Sequence, residues 1–264
     1  FIKEYIKTYY HPDDISWGMV RASYTGQLQV IKFLMTLLDD DASATFARNM
    51  VIMNSAEKGH LDVFKYLSTV PGVDLTVDDN YAIRFAARLG HLDLVKYLST
   101  VPGVDPTVDD NYAFRWAARN EHLDVVKFLL TLPGVHVDAS EYEAVRWAAS
   151  YGNPGILEFL FTLPEITTKY KNIAIRNAFA YGYYEILIDL IPCVPYIPEE
   201  FINSEIKSLV FKRACQLAKI HFPAELCWLI GECIWGPGSG ICFGEDKRRK
   251  ALEKIRFLKI TYLK

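Results

Sequence analysis

The chain has 264 residues, 51% of them apolar, 23% charged and 14% aromatic, with a net charge of −3. That apolar content excludes intrinsic disorder, and 15 glycines and 12 prolines exclude a collagen-like or low-complexity chain. No run reaches the ~18 uninterrupted apolar residues of a membrane helix. The most apolar stretch, 222–244, is broken by Glu225, Glu232 and a Gly-Pro-Gly-Ser-Gly turn, so no membrane association is expected. Five cysteines without framework spacing point to a reducing compartment, and the chain opens at Phe1 without a signal-peptide pattern. The expected location is cytoplasmic.

Length alone suggests one or two globular domains, but the chain repeats itself. Gly59 to Asn80 and Gly90 to Asn111 differ at three of 22 positions, at an offset of 31. Residues Asn80 to Arg88 (NYAIRFAAR) recur at Asn111 to Arg119 (NYAFRWAAR) and more loosely at Tyr142 to Ser150 (YEAVRWAAS). Fainter copies start at Ser16, Asn49 and Asn172, which gives six units over 16–202. Residues 1–15 read as an N-terminal flanking helix.

Each unit reads as two short helices. Asn80 is placed to cap the first, and Ala82, Ile83, Ala86 and Ala87 give it a small apolar face. Gly90 supplies the positive φ that ends it. Leu92, Val95 and Leu98 stripe the second helix, and Pro102-Gly103 stops it. Helices this short are marginal alone, so each must bury its face against its partner and the next unit. A stacked all-α solenoid follows.

The run Ala-Ala-x-x-Gly-His-Leu-x-x-Val-x-x-Leu at Ala86 to Leu98, with Gly103-Val104-Asp105 after it, resembles the ankyrin-repeat family. The family's Thr-Pro-Leu-His tetrapeptide is replaced here by Tyr81-Ala82-Ile83-Arg84 and its counterparts, and the period is 31 instead of about 33. The shortening implies truncated hairpin loops, and the variant resembles ankyrin proteins of protists and of large DNA viruses. On that resemblance the function is non-enzymatic protein binding through a concave face, with no cofactor, no metal and no nucleic acid.

The surface that would bind falls between the repeated arginine and the alanine pair, and just after that pair. The first position is Ala22, Ser55, Phe85, Trp116, Trp147 and Asn177 in successive units; the second includes Arg88-Leu89, Arg119-Asn120, Tyr151 and Tyr181. Aromatics and arginines dominate interface hot spots, so Phe85, Trp116 and Trp147, flanked by Arg88, Leu89, Arg119, Asn120, Tyr151 and Tyr181, form the candidate protein-binding ridge. The competing reading makes these rings core filler between repeats. A second ladder, Arg84, Arg115, Arg146 and Arg176, has Asp79, Asp110 and Glu141 immediately upstream, and Asp93 and Asp124 on the second helices. It reads as a structural Arg–Asp ladder between repeats. The recurring His60, His91 and His122 read as structural. Where Glu121 replaces the expected glycine, Asn120 is expected to take the left-handed conformation.

Residues 203–264 read as a C-terminal helical cap, a diverged repeat plus a final helix. The segment 201–264 carries twelve Lys/Arg against six Asp/Glu, whereas the remainder is acidic. Within it, Phe222-Pro223-Ala224-Glu225-Leu226 followed by Ile230 resembles the opening helix of an F-box, which implies a substrate adaptor with ubiquitin-ligase components as partners. The plainer alternative is a proline-started capping helix. Cys215, Cys227, Cys233 and Cys242 lack a zinc spacing, and Lys247 to Lys250 reads as a solvated helix face. A third reading is a structural subunit of a larger assembly. No nucleophile–base pair or paired carboxylates stand out, and the partner's identity is open.

Overall fold

A computed structural model describes residues 11–38 and 42–183. Among them are eleven helices and no strand: α1 (Pro12–Tyr24), α2 (Leu28–Met35), α3 (Ala42–Lys58), α4 (Leu61–Leu67), α5 (Val77–Arg88), α6 (Leu92–Leu98), α7 (Val108–Arg119), α8 (Leu123–Leu129), α9 (Ala139–Tyr151), α10 (Pro154–Leu160) and α11 (Thr168–Ala180). The proposed cap at 203–264, with the F-box-like segment, lies outside the described residues. The chain divides into two compact units, 1–144 and 145–264.

In the first unit α1, α3, α5 and α7 pack side by side in that order, while α4, α6 and α8 form a second row. The alanine pairs make this possible. Ala82, Ala86, Ala87, Ala113, Ala117 and Ala118 are all buried, and a methyl side chain is what lets neighbouring helices approach closely. Ile83, Phe114 and Phe64 fill the larger gaps and are fully buried. On the second helices the buried set is Leu94, Val95 and Leu98, with Leu92 only half-buried. Ala22 and Ser55 are buried too, at the position of the packing alanines; the ridge positions of their repeats belong instead to Arg21 and Asn54.

The turn between helices of a pair is built around a ring. A Cβ on Gly59 would lie 2.5 Å from the His91 imidazole, and one on Gly90 equally close to His122. These glycines are thus required twice, for φ values of 72° and 80° and for the ring above them. The His91 Nε2 lies 2.8 Å from the Glu57 carbonyl, which fixes it as the protonated nitrogen donating to the preceding repeat. The histidines are structural, as the sequence predicts. At the third turn the expectation fails: Asn120 has φ −98°, and Glu121 itself takes φ 66°. Register decides which residue is left-handed, whatever its type. Asn120 instead donates its Nδ2 to the Arg88 carbonyl at 2.7 Å.

The connection into α5, α7 and α9 is also different from the expectation. Asp78-Asp79-Asn80, Asp109-Asp110-Asn111 and Ser140-Glu141-Tyr142 each form three consecutive left-handed residues, with φ between 47° and 60°. Asn80 is therefore no helix cap; its Oδ1 accepts from the Asp105 amide in the next loop at 3.0 Å. Among residues with a Cβ, Asp and Asn carry the smallest penalty for this conformation, about 1 kcal/mol each, which suits the first two turns better than the third. Ahead of each of the first two turns, Asp74 and Asp105 accept from the amide and hydroxyl of Thr76 and Thr107. The Thr76 hydroxyl, then its amide, hold the Asp74 carboxyl below the usual carboxylate range.

The described part of the second unit has the same grammar. Val145, Ala148, Ala149, Ile156, Leu157, Leu160, Ala174, Ile175 and Ala178 form its core. Asn177 donates to the Arg146 carbonyl at 3.3 Å, as Asn120 does to Arg88. The Tyr183 ring lies against Gly152, taking the place of the histidine.

Candidate functional site

The face of interest is carried by α5 and α7. Both helices place an aromatic pair one turn apart, Tyr81 with Phe85 and Tyr112 with Trp116. The rings form a continuous stack: Tyr81 on Phe85 at 3.9 Å between centroids, Phe85 to Tyr112 at 6.3 Å, and Tyr112 on Trp116 at 5.3 Å. Into this stack reach two guanidiniums. Arg88 lies 5.2 Å from the Phe85 centroid and 4.4 Å from that of Trp116, and Arg119 lies 4.2 Å from Trp116. Each such contact adds ~0.5–1 kcal/mol when partly exposed.

This geometry falls between the two sequence readings. Phe85 and Trp116 are neither core nor fully exposed; each is half-buried within the stack. Arg88, Arg119 and Asn120 are half-buried, and Leu89 is exposed. The second unit carries the other ridge residues, with Trp147 half-buried and Tyr151 and Tyr181 exposed. The sequence analysis misses Tyr81 and Tyr112, although their spacing of four from Phe85 and Trp116 is legible. It also misses Trp17, Arg21 and Tyr24 on α1, which occupy the same three helical positions as Tyr81, Phe85 and Arg88. All three are exposed, and Lys58 sits 4.0 Å over the Tyr24 ring.

Burial, then the neighbouring Glu57 carboxylate, push the Tyr81 phenol well above its ordinary value. Its hydroxyl donates to Glu57 Oε1 at 2.5 Å, so the one carboxylate on this stretch of α3 is already engaged.

Behind the rings lies the arginine ladder, in which Arg84 and Arg115 reach the backbone carbonyls of the aspartates. Arg84 Nη2 donates to the Asp78 carbonyl at 2.8 Å. Arg115 donates from Nε to the Asp110 carbonyl at 2.9 Å and from Nη2 to the Asp109 carbonyl at 2.7 Å. A left-handed run leaves its carbonyls without the usual helical donors, and the guanidinium supplies them; the aspartate side chains stay exposed, that of Asp110 accepting from the Ser140 hydroxyl. The carboxylate that Arg115 meets is Glu143, which stands one repeat on at the position of Tyr112. Arg115 is buried, so this pair bridges the repeats where water is scarce.

Among the described residues no group of three or more His, Cys, Asp or Glu could hold a metal ion, and no helix is long and apolar enough to cross a membrane. No curated protein matches this sequence. A family model described as ankyrin repeats (3 copies) matches residues 19–110 and again 83–172, more than half of the chain. Repeating helix pairs, the glycine–histidine turn and this match agree: the chain belongs to the ankyrin-repeat family, whose all-α solenoids generally mediate protein–protein interaction.

Proposed function

We propose that this chain binds a partner protein through the face of its first helices, with Phe85 and Trp116 as anchors and Arg88, Leu89, Arg119 and Asn120 around them. Within the second unit, Trp147, Tyr151 and Tyr181 hold the corresponding sequence positions and are proposed as binding residues there. The observation that carries this reading is the half-burial of Phe85 and Trp116 in a stack with Tyr81 and Tyr112. Rings held in one orientation lose little entropy on binding, and the area they leave exposed is the apolar area that hot spots use. A role without catalysis is part of the proposal, as is a cytoplasmic setting.

The test is affinity capture from the native source with the wild-type chain and with Trp116→Ala plus Trp147→Ala. The expected result is loss of the captured partner with a folded, cooperatively melting variant. Retention of the partner would contradict the reading. Two other readings stand on the sequence only. The adaptor reading through Phe222, Pro223, Glu225, Leu226 and Ile230 concerns residues outside those described, and co-purification of a cullin-linker protein, lost on Leu226→Asp, is its test. A structural subunit would bury the ridge against permanent neighbours.

A further inference from the structure

We infer that the segment recognised by this face is acidic: a stretch of the partner protein whose carboxylates meet Arg88 and Arg119 while its apolar side chains lie on Phe85 and Trp116. This rests on the preceding proposal that the face binds a protein at all.

Charge complementarity carries the argument. The first unit separates its charges by position. Each of the three loops leading into α5, α7 and α9 carries exposed acidic residues, such as Asp78, Asp109 and Glu141, and none of 68–83, 99–114 or 130–142 contains Lys or Arg. The helical face has the opposite balance. Arg88 and Arg119 stand on the rings, Arg84 stands behind Tyr112 at 5.3 Å from its centroid, and Lys58 continues the positive charge toward α1. Of the carboxylates beside the rings, Glu57 accepts from the Tyr81 hydroxyl and Glu143 pairs with Arg115.

Arg88 makes the point most sharply. Its guanidinium makes no hydrogen bond or ion pair among the described residues; its contacts are the faces of Phe85 and Trp116. A guanidinium stacked on rings keeps its five N–H donors in its own plane, in the fork that matches a carboxylate. The rings fix that fork in advance and lower the local dielectric, which strengthens the pair once water leaves. A basic segment would meet like charge on this face.

The experiment is selection of a displayed library of random 12-residue peptides on the full-length chain in low salt. The recovered peptides are then measured as labelled probes by fluorescence anisotropy. Recovered sequences should be rich in Asp and Glu mixed with apolar residues, and replacing their acids by Asn and Gln should weaken binding about tenfold or more. Arg88→Gln plus Arg119→Gln should do the same, whereas Arg88→Lys plus Arg119→Lys should keep the preference for acids. Lys65→Gln plus Lys96→Gln, on the second helices, should leave binding unchanged. Neutral or basic peptides that still require Trp116 would overturn the acidic partner and leave the face intact. Peptides indifferent to Phe85→Ala and Trp116→Ala would overturn the face itself. Binding of a labelled oligouridine as tight as that of the best peptide would overturn the inference in favour of nucleic acid. Failure to enrich any peptide would count against both.

Discussion

Two surfaces of the first unit are built from the same 31-residue period and behave as opposites. The loop edge repeats aspartates whose side chains are exposed to water. The helical face repeats tyrosine, phenylalanine or tryptophan, and arginine, and packs them on one another. The arginines behind that face explain the difference. By donating to the carbonyls of the left-handed turns, Arg84 and Arg115 satisfy the loop backbone from within. The aspartate side chains lie on the exposed edge, where Asp110 accepts from the Ser140 hydroxyl of the next turn. One surface is held by its rings and the other by what lies beneath it.

Breaking the ladder should therefore have the largest effect. Arg115→Ala removes the donors of two left-handed carbonyls and strands the Glu143 carboxylate. Loss of about 3 kcal/mol or more is expected, read as the shift in urea midpoint at constant m. A loss within ~0.5 kcal/mol would show that the turns hold themselves. Next comes the stack. Phe85→Ala plus Trp116→Ala should cost roughly 2–3 kcal/mol, less than two fully buried rings would, because both are only half-buried.

Tyr81 gives a smaller effect with a pH signature. Its phenol is raised, so the folded state favours the protonated form. That contribution is complete below the ordinary phenol value of about 10 and is lost as pH climbs through the raised one. Thermal melts should show the wild type losing stability above pH ~10 more steeply than Tyr81→Phe, which below that range costs only about 1 kcal/mol. Glu121→Gly should stabilise by up to ~1 kcal/mol, since glycine adopts φ 66° without strain. Smallest is the edge itself. Asp78→Asn plus Asp109→Asn should change the midpoint by less than ~0.5 kcal/mol, because both side chains are exposed and Asn tolerates the same conformation.

The helix pairs were legible because their signals are local and periodic: the alanine pair, the Gly-His turn and the second-helix stripe each repeat at 31. The left-handed turns were not. Asp-Asp-Asn before an apolar run is also what the N-terminus of an ordinary right-handed helix favours, through capping and the helix dipole. The contacts to the Asp105 amide and the Arg84 guanidinium select the rarer conformation, and the first comes from the next loop, 25 residues on. The site was half legible. Phe85, Trp116, Arg88 and Arg119 could be named from register, but their half-burial depends on Tyr81 and Tyr112 filling the space behind them. Glu143 could have been found by setting the third repeat on the first two, where a carboxylate replaces a tyrosine.

The contrast between face and edge is tested most directly by nuclear magnetic resonance, titrating the isotope-labelled chain with a peptide that it binds. The account predicts that the Trp116 indole N–H and the Arg88 and Arg119 Nε–H signals shift. The amides of Asp78 to Asn80 and Asp109 to Asn111 should stay in place. Shifts confined to those loop amides, with the indole and guanidinium signals unmoved, would contradict it.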